Sequence, residues 1–248
     1  QTVTALKPPA ELYSQPVRWV PSSLYWGHFQ AVFTGFHFEK NILNSVIVAT
    51  ATTVVSLVVG TLAAYALAKL PLPAKRTILV LVVAMVTLPG IALVASLFLV
   101  LRSLQLIDTY PALIIPYVAF SLPFAIWVLT NFFRDIPADL AEQAEVDGCT
   151  PFQSLLRVIL PLAAPGLVTA ALLIFIGAWN EFLFAFTFTS KPDTMTIPVA
   201  IYDFNGVHEI PWGEISAGSE MVTLPIIALV LIFQRRIVQG LTAGSLKG

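Results

Sequence analysis

The chain has 248 residues, of which 57% are hydrophobic and only 11% are charged, and its mean hydropathy is +0.85. Soluble domains carry about 25% charged residues, so the composition excludes both a water-soluble globule and a disordered chain and leaves an integral membrane protein. The net charge of −1 gives nucleic-acid binding no electrostatic support, and the single cysteine, Cys149, cannot form an intrachain disulfide.

The first 41 residues are predicted to form an external N-terminal segment, ahead of a transmembrane domain that occupies residues 42–248. Aromatic side chains are concentrated near the end of this segment. They are Trp26, Phe29, Phe33, Phe36 and Phe38. Because aromatic rings favour the boundary between lipid and water, we interpret them as an anchor at the membrane surface.

Five apolar runs follow, and each is long enough to cross a bilayer core of about 30 Å as a helix. They span residues 42–68, 77–101, 111–131, 158–180 and 215–234. Strands of a membrane barrel would be about ten residues long and alternate in polarity, which these runs do not. The sequence therefore predicts an all-α, polytopic membrane helix bundle with five visible transmembrane helices.

Helix-breaking residues lie within four of these runs. They are Pro89-Gly90 in the second run, Pro116 and Pro123 in the third, Pro165-Gly166 in the fourth and Pro225 in the fifth. Proline inside a membrane helix frees a carbonyl group and bends the helix axis. Two interpretations stay open, namely kinked helices that simply pack together and a bundle that lines a gated pathway.

Basic residues are distributed unequally between the two sets of loops. One set holds eight Lys and Arg residues in about 48 loop positions, and the other holds five in about 80. Since the cytoplasmic side is the more basic one, loop 132–157 and the C-terminus are predicted to be cytoplasmic. The N-terminal segment and loop 187–216 are then external, and termini on opposite sides lead us to expect a further helix upstream of Gln1.

The cytoplasmic loop is predicted to contain two helices. Pro137 suits the first turn of a helix, and Gly148 provides a left-handed end after about 11 residues. Thr150 then begins a second helix, in which Pro151 takes the first position and Gln153 completes a capping box. The first helix is too short to be stable alone in water, so we expect it to dock against a partner.

The composition of that first helix favours a protein as the partner. Ala141 and Ala144 keep one face small, and Leu140 adds an apolar contact. The charged side chains that flank this face are Glu142, Glu145 and Asp147. A helix that lies on a membrane usually carries Lys and Arg on its polar face, so the acidic residues disfavour that alternative.

Three stretches resemble a known family. Glu142-Gln143-Ala144, Gly148, Val158 and Leu160-Pro161 have the spacing of the EAA loop of permease subunits from binding-protein-dependent ABC importers, with Gln143 and Val158 departing from its alanine and isoleucine. The segment 178–184, AWNEFLF, and the tail 233–248 are similar to sugar permeases of the maltose/trehalose type, specifically to the partner subunit without a large external domain. The resemblance covers nearly the whole chain from Asn41.

The resemblance implies the type I ABC-importer permease fold, usually with six transmembrane helices, and a complex in the inner membrane of a bacterium or archaeon. The implied partners are a second, different permease subunit, two ATPase subunits and an external sugar-binding protein. The implied coupling helix, which sits in a groove of one ATPase, contains Leu140, Ala141, Glu142, Ala144, Glu145, Asp147 and Gly148. The tail 235–248 would also reach toward the ATPases.

No catalytic or metal-binding set of residues is apparent. The phosphate-loop motif GxxxxGK[ST] is absent, so we expect no cofactor on this chain and place ATP and Mg²⁺ on the partner ATPases. His28, His37 and His208 are scattered through external segments without the spacing of metal ligands.

The candidate substrate path lies at the end of the fourth run, at Trp179, Asn180 and Glu181. Glu181 is about 34 Å along a helix from Val158, so it either rests at the outer interface or faces a cavity beside Asn180. The expected cargo is a disaccharide or oligosaccharide, and a glycerol-phosphate type substrate stays open. The alternative functions are a structural scaffold and a proton-coupled carrier, the latter disfavoured because no inverted repeat is visible. Segment 26–38 and loop 187–216 could meet the binding protein.

Overall fold

The computed structural model describes residues 1–36, 38–204 and 210–242, with the side chains at positions 36, 145 and 235–242 outside that description. The described residues form helices and no strands. Three short helices come first: α1 (Thr2–Ala5), α2 (Pro9–Leu12) and α3 (Gly27–Phe36). The membrane region then comprises α4 (Phe38–Lys69), α5 (Lys75–Ala84), α6 (Gly90–Ser103), α7 (Tyr110–Asp135), α8 (Ala138–Val146), α9 (Pro151–Ser154), α10 (Leu160–Leu162), α11 (Ala164–Trp179), α12 (Leu183–Phe188), α13 (Ile197–Asp203) and α14 (Trp212–Thr242).

Five helical units can cross a membrane if each bent pair counts as one span. Three are single long helices, α4, α7 and α14. The other two are bent, α5–α6 by 90° and the Pro151–Leu162 segment with α11 by 81°. The prediction of an all-α membrane bundle is confirmed, and the predicted domain boundary at residue 41 falls within the first turn of α4.

The prolines act differently from one another. The predicted break at Pro89-Gly90 is confirmed, since α6 begins at Gly90 after two extended residues. The fourth run bends at Ala163, with Pro165 in the first turn of α11. The predicted interruptions at Pro116, Pro123 and Pro225 are wrong, because α7 and α14 continue through them. In a membrane helix, neighbouring helices and small local adjustments can accommodate the carbonyl groups that proline frees.

A stripe of small residues on α4 forms the centre of the bundle. The buried members of this stripe are Ser45, Ala49, Thr52, Ser56, Gly60 and Ala64. A Cβ atom at Gly60 would lie only 2.9 Å from the Cβ atom of Ala125 on α7, so the two helix backbones approach closely at this point. Small residues at helix crossings are the usual means of close packing in membranes.

The N-terminal segment packs on the beginning of α14. The Thr2 hydroxyl donates to Glu220 Oε1 at 2.6 Å, and buried His28 lies 3.0 Å from Glu214 Oε1. Among the predicted anchor aromatics, Phe38 is fully buried and Phe29 is partly buried in the same cluster, whereas Trp26 and Phe33 are exposed. The Phe36 side chain and all of His37 lie outside the described residues, and the membrane-anchor role stays a prediction.

Candidate coupling surface and substrate path

Helix α8 begins and ends where local sequence signals place its ends. The Lys69 ammonium donates to the carbonyl oxygen of Ile136 at 2.5 Å, which ties the end of α4 to the start of the α8 loop. At the other end, Gly148 has φ +85°, and the Cys149 N–H bonds the carbonyl of Ala144 at 2.9 Å. This left-handed ending is the one predicted for Gly148, although the helix has nine residues instead of about 11.

The second loop helix also follows its prediction. The Thr150 hydroxyl accepts from the Gln153 N–H at 3.3 Å, and the Gln153 side-chain oxygen accepts from the Thr150 N–H at 2.9 Å. This is a complete capping box with Pro151 at the first helical position. The turn between α8 and α9 is therefore fixed at both ends by local bonds.

The small face of α8 points inward. Ala141 and Ala144 are buried, and Ala141 belongs to a cluster, here called the elbow cluster, with buried side chains of α4, α7 and the Pro151–Leu162 segment. The buried members of the elbow cluster are Ala64, Tyr65, Leu129, Phe133, Ala141, Leu155, Ile159, Ala163 and Ala170. The expectation that a partner approaches Ala141 and Ala144 is thus wrong, because these alanines let α8 sit close to its own chain.

The outward face of α8 is acidic and polar around one apolar side chain. Val146 is 87% exposed. Together with Asp139, Glu142, Gln143 and Asp147 it lines a shallow depression of about 530 Å³. Leu140 is half-buried, Gly148 is exposed, and the Glu145 side chain lies outside the described residues. Gln143 and Val146 were not predicted to be surface residues. Leu140, Gln143 and Val146 follow one another at intervals of three residues, which places them on neighbouring turns of the helix.

The three predicted path residues have three different surroundings. Trp179 is only 4% exposed and stacks on Phe175, with ring centroids 5.6 Å apart, so its place in a path is wrong: it lies in the core. Asn180 is exposed, and its amide donates to the carbonyl of Ile176 at 2.8 Å. Glu181 is half-buried and accepts three hydrogen bonds, from the hydroxyl of Tyr117 and from the N–H groups of Phe184 and Ala185.

An exposed aromatic cluster lies next to Asn180 and was missed. Phe182 and Phe186 stack with centroids 5.3 Å apart, and Tyr202 of α13 packs on both at 5.6 and 5.2 Å. All three rings are exposed. The four-residue spacing of Phe182 and Phe186 was visible in the sequence, but the approach of Tyr202 depends on the tertiary fold.

The segment before α13 is held on α4 by amide groups. Asn44 donates to the carbonyls of Asp193 and Met195, and Asn41 also donates to Met195 at 3.0 Å. Lys40 forms an exposed ion pair with Asp193 at 2.9 Å. A cavity of about 320 Å³ lies beside these residues. Within the described part of the chain, no three His, Cys, Asp or Glu side chains are grouped to hold a metal.

The family model for the binding-protein-dependent transport system inner membrane component matches residues 56–243, most of the membrane region described above. The chain belongs to this family. It is therefore a membrane-embedded permease of an ABC transport system, as the EAA-like loop predicted. The matched residues include both α8 and Asn180.

Named relatives match over most of their own lengths. The permease is 47% identical to a trehalose transport system permease protein of Mycobacterium tuberculosis, over 92% of this chain and 84% of the relative. It is 41% identical to a sulfoquinovosyl glycerol transport system permease protein of Agrobacterium fabrum, over 99% and 86%. It is 43% identical to a trehalose/maltose transport system permease protein of Thermococcus litoralis, over 86% and 77%.

The fold has a close counterpart among solved structures. A chain of a bacterial ABC transporter involved in the import of the acidic polysaccharide alginate superposes with a TM-score of 0.81, at 22% identity, over 94% of this chain and 87% of that one. A chain of a methionine ABC transporter gives 0.64 at 18% identity, over 84% and 97%. The predicted ABC-importer permease fold is confirmed.

Proposed function

We propose that the permease imports a disaccharide or oligosaccharide that an external binding protein delivers. In this proposal it pairs with a second permease subunit and is driven by two ATPase subunits, which carry ATP and Mg²⁺. The observation that carries the proposal is the orientation of α8, which packs its small face on the membrane helices and leaves its acidic face open. The sugar class rests on the substrates for which the relatives are named.

The contacts of α8 suit the transmission of force. An ATPase that moved α8 would act on the elbow cluster through Ala141, and this cluster includes side chains from α4 and α7. The bond from Lys69 to Ile136 adds a polar tie to α4. A short helix without such ties would move independently of the bundle. In this proposal loop 132–157 and the C-terminus are cytoplasmic, and the tail 235–248, which begins within α14, reaches toward the ATPases. The last six residues of the tail and all its side chains lie outside the described residues.

The outer part of the sugar path is assigned to Asn180 and the aromatic cluster of Phe182, Phe186 and Tyr202. Sugars are held by flat aromatic faces together with a few polar groups, and this cluster supplies the faces next to an exposed amide. Trp179 has no part in this path because it is buried. In this proposal segment 26–38 and loop 187–216 are external and could meet the binding protein.

A proton-coupled carrier is disfavoured by the surroundings of Glu181. Both of its oxygens already accept hydrogen bonds, two of them from main-chain N–H groups that cannot turn away. These bonds give the carboxylate a structural use within the folded chain, so a role in proton transfer is not needed to explain its presence.

The deciding experiment is uptake of labelled trehalose, maltose and glycerol 3-phosphate by proteoliposomes that contain the permease with its partner subunits and binding protein. We expect vanadate-sensitive uptake of a sugar that persists when the proton gradient is collapsed. Uptake that follows the proton gradient at constant ATP would contradict the proposal. Uptake of glycerol 3-phosphate alone would contradict the substrate class and leave the coupling mechanism in place.

A further inference from the structure

The second span is divided by a hinge, defined here as residues 88–90. Leu88 and Pro89 have extended backbones, with ψ 123° and 120°, and the helices on either side meet at 90°. Proline has no N–H to donate, so helical hydrogen bonding does not run across this point. The angle between α5 and α6 must therefore be set by contacts from outside the span.

One such contact comes from Phe184 of α12. A Cβ atom at Gly90 would lie 3.3 Å from Cζ of Phe184, which places the tip of this ring against the hinge backbone. The ring is buried and packs on Phe120 of α7 and on Phe188, with centroids 5.2 and 5.6 Å away. Its position is consequently tied to α7 and to the rest of α12.

Glu181 fixes the start of α12. Its Oε1 accepts from the Phe184 N–H at 2.8 Å, and its Oε2 accepts from the Ala185 N–H at 3.1 Å. A helix of six residues is marginal alone, and a carboxylate at its N-terminus satisfies free N–H groups and complements the helix dipole. The same Oε2 accepts the hydroxyl of Tyr117 on α7 at 2.5 Å.

We infer that Glu181 is a positioning residue for transport: it joins α7 to the first turn of α12 and thereby holds Phe184 against the hinge of the second span. The three hydrogen bonds position the ring that contacts Gly90, so loss of the carboxylate loosens this contact without removing any group from the hinge itself. Glu181 then contributes to transport through the angle between α5 and α6 and not through contact with the sugar. The predicted loss of uptake rests on the proposed import function, whereas the predicted change in the angle between α5 and α6 does not.

The test measures the hinge directly in the assembled complex. Spin labels at Leu81 on α5 and Leu99 on α6, both exposed, report the distance across the hinge in a Cys149→Ser background. We expect Glu181→Ala to broaden the distance distribution and to lower sugar uptake per complex by about tenfold, because bonds to a charged acceptor are lost. Tyr117→Phe removes one of the three bonds and should give a smaller change of the same kind.

The matched control is another carboxylate that accepts a backbone hydrogen bond. Glu11 accepts from the hydroxyl and the N–H group of Ser22 in the N-terminal segment, which packs on α14. Glu11→Gln should leave the hinge distance unchanged. An unchanged distribution in Glu181→Ala, or equal broadening in Glu11→Gln, overturns the inference.

A variant that acts from the hinge side covers the case in which Glu181→Ala fails to assemble. Gly90→Ala pushes its new methyl group toward Phe184 and should shift the same distance distribution. If the sugar assignment is wrong, wild-type uptake fails, but the distance measurements still distinguish the variants from the wild type. If wild-type uptake succeeds and neither Gly90→Ala nor Tyr117→Phe alters the distance, the positioning role is refuted on its own.

Discussion

The chain turns sharply twice within its membrane region, once at the hinge and once at Ala163, and the two turns are held by different forces. At Ala163 the main-chain bonds continue, from the Ala163 N–H to Ile159 and from the Leu167 N–H to Ala163, and apolar side chains of the elbow cluster surround the bend. The helices beside the hinge contribute only Leu101 to the buried core. The turn at Ala163 is packed, whereas the hinge is braced by contacts with α7 and α12.

In the proposed mechanism, this difference separates a part that transmits force from a part that can change angle. Apolar packing resists deformation because every atom in it is close to others. A brace of hydrogen bonds and one ring contact can be released by a small displacement. The packed turn lies next to α8, where the proposed push arrives, and the braced turn lies in a span whose outer surface is largely exposed.

The largest expected effect comes from opening the elbow cluster. Ile159 is fully buried there, so Ile159→Ala should lower the free energy of unfolding by about 2–4 kcal/mol through lost contacts and the cavity left behind. Ile91 beside the hinge is 71% exposed, and Ile91→Ala should change the free energy of unfolding by less than about 0.5 kcal/mol. Unfolding the purified complex at increasing concentrations of a denaturing detergent measures both changes in free energy. Equal losses would remove the distinction between a packed and a braced turn.

The ending of α8 gives the next largest effect. Valine at position 148 must adopt a φ near +85°, which costs about 1–2 kcal/mol and should displace the helix from the elbow cluster. We expect Gly148→Val to abolish sugar uptake while the complex still assembles. Gly35→Val on α3 is the control, because a Cβ atom there meets nothing within 4 Å. Normal uptake by Gly148→Val would separate α8 from force transmission.

The exposed face of α8 should affect coupling without affecting stability. Val146→Asp places a charge where the proposed ATPase contact has its apolar centre, and sugar-stimulated ATP hydrolysis should fall about five- to tenfold. The unfolding free energy should stay unchanged, since Val146 is almost fully exposed. Val20→Asp, at a comparably exposed position in the N-terminal segment, is the control. Parallel losses in both variants would indicate a general effect of added charge.

Local features of this fold could be predicted from the sequence, but which side chains point toward the core could not. Gly148 and the capping box of Thr150 were identified correctly because a left-handed residue and a reciprocal cap depend on a few adjacent positions. Ala141 was placed on the wrong side because periodicity shows that a face is small but not which side the core occupies. Trp179 was misplaced for the same reason, since its burial depends on Ile197 and Phe204, which come about 20 residues later.

Proline shows the same limit. Pro89 and Pro116 occur in similar apolar runs, yet only Pro89 breaks its helix. Pro116 is buried in α7, which packs along α4, whereas Pro89 lies between two helices whose only buried residue is Leu101. The residue type indicated a weak point in each helix, and the tertiary packing decided whether it bent. Phe182 and Tyr202, which we assign to the proposed path, likewise became neighbours only through the approach of α12 to α13.

The smallest effect is expected in the N-terminal segment, which a second carboxylate, that of Glu11, holds in place. Glu11 accepts from the Ser22 hydroxyl and, at 3.2 Å, from the Ser22 N–H, and Arg18 lies 3.4 Å away. These groups, the Ser22 hydroxyl above all, hold the pKa of the Glu11 carboxyl below its ordinary value of 4.5. Because the pKa is lowered in the folded chain, the loop is stabilised above about pH 4.5 and loses this contribution as the pH falls through the lowered pKa.

Hydrogen exchange of residues 12–25, corrected for intrinsic rates, should therefore accelerate between about pH 6 and pH 3.5 in the wild type. Glu11→Gln should show the faster exchange at both pH values, because an uncharged amide binds Ser22 more weakly. The elbow cluster has no carboxylate among its buried members, and exchange around Ile159 should not respond to pH over this range. A pH response of equal size around Ile159 would mean that acid loosens the whole bundle, and the contrast between packed and carboxylate-held segments would then fail.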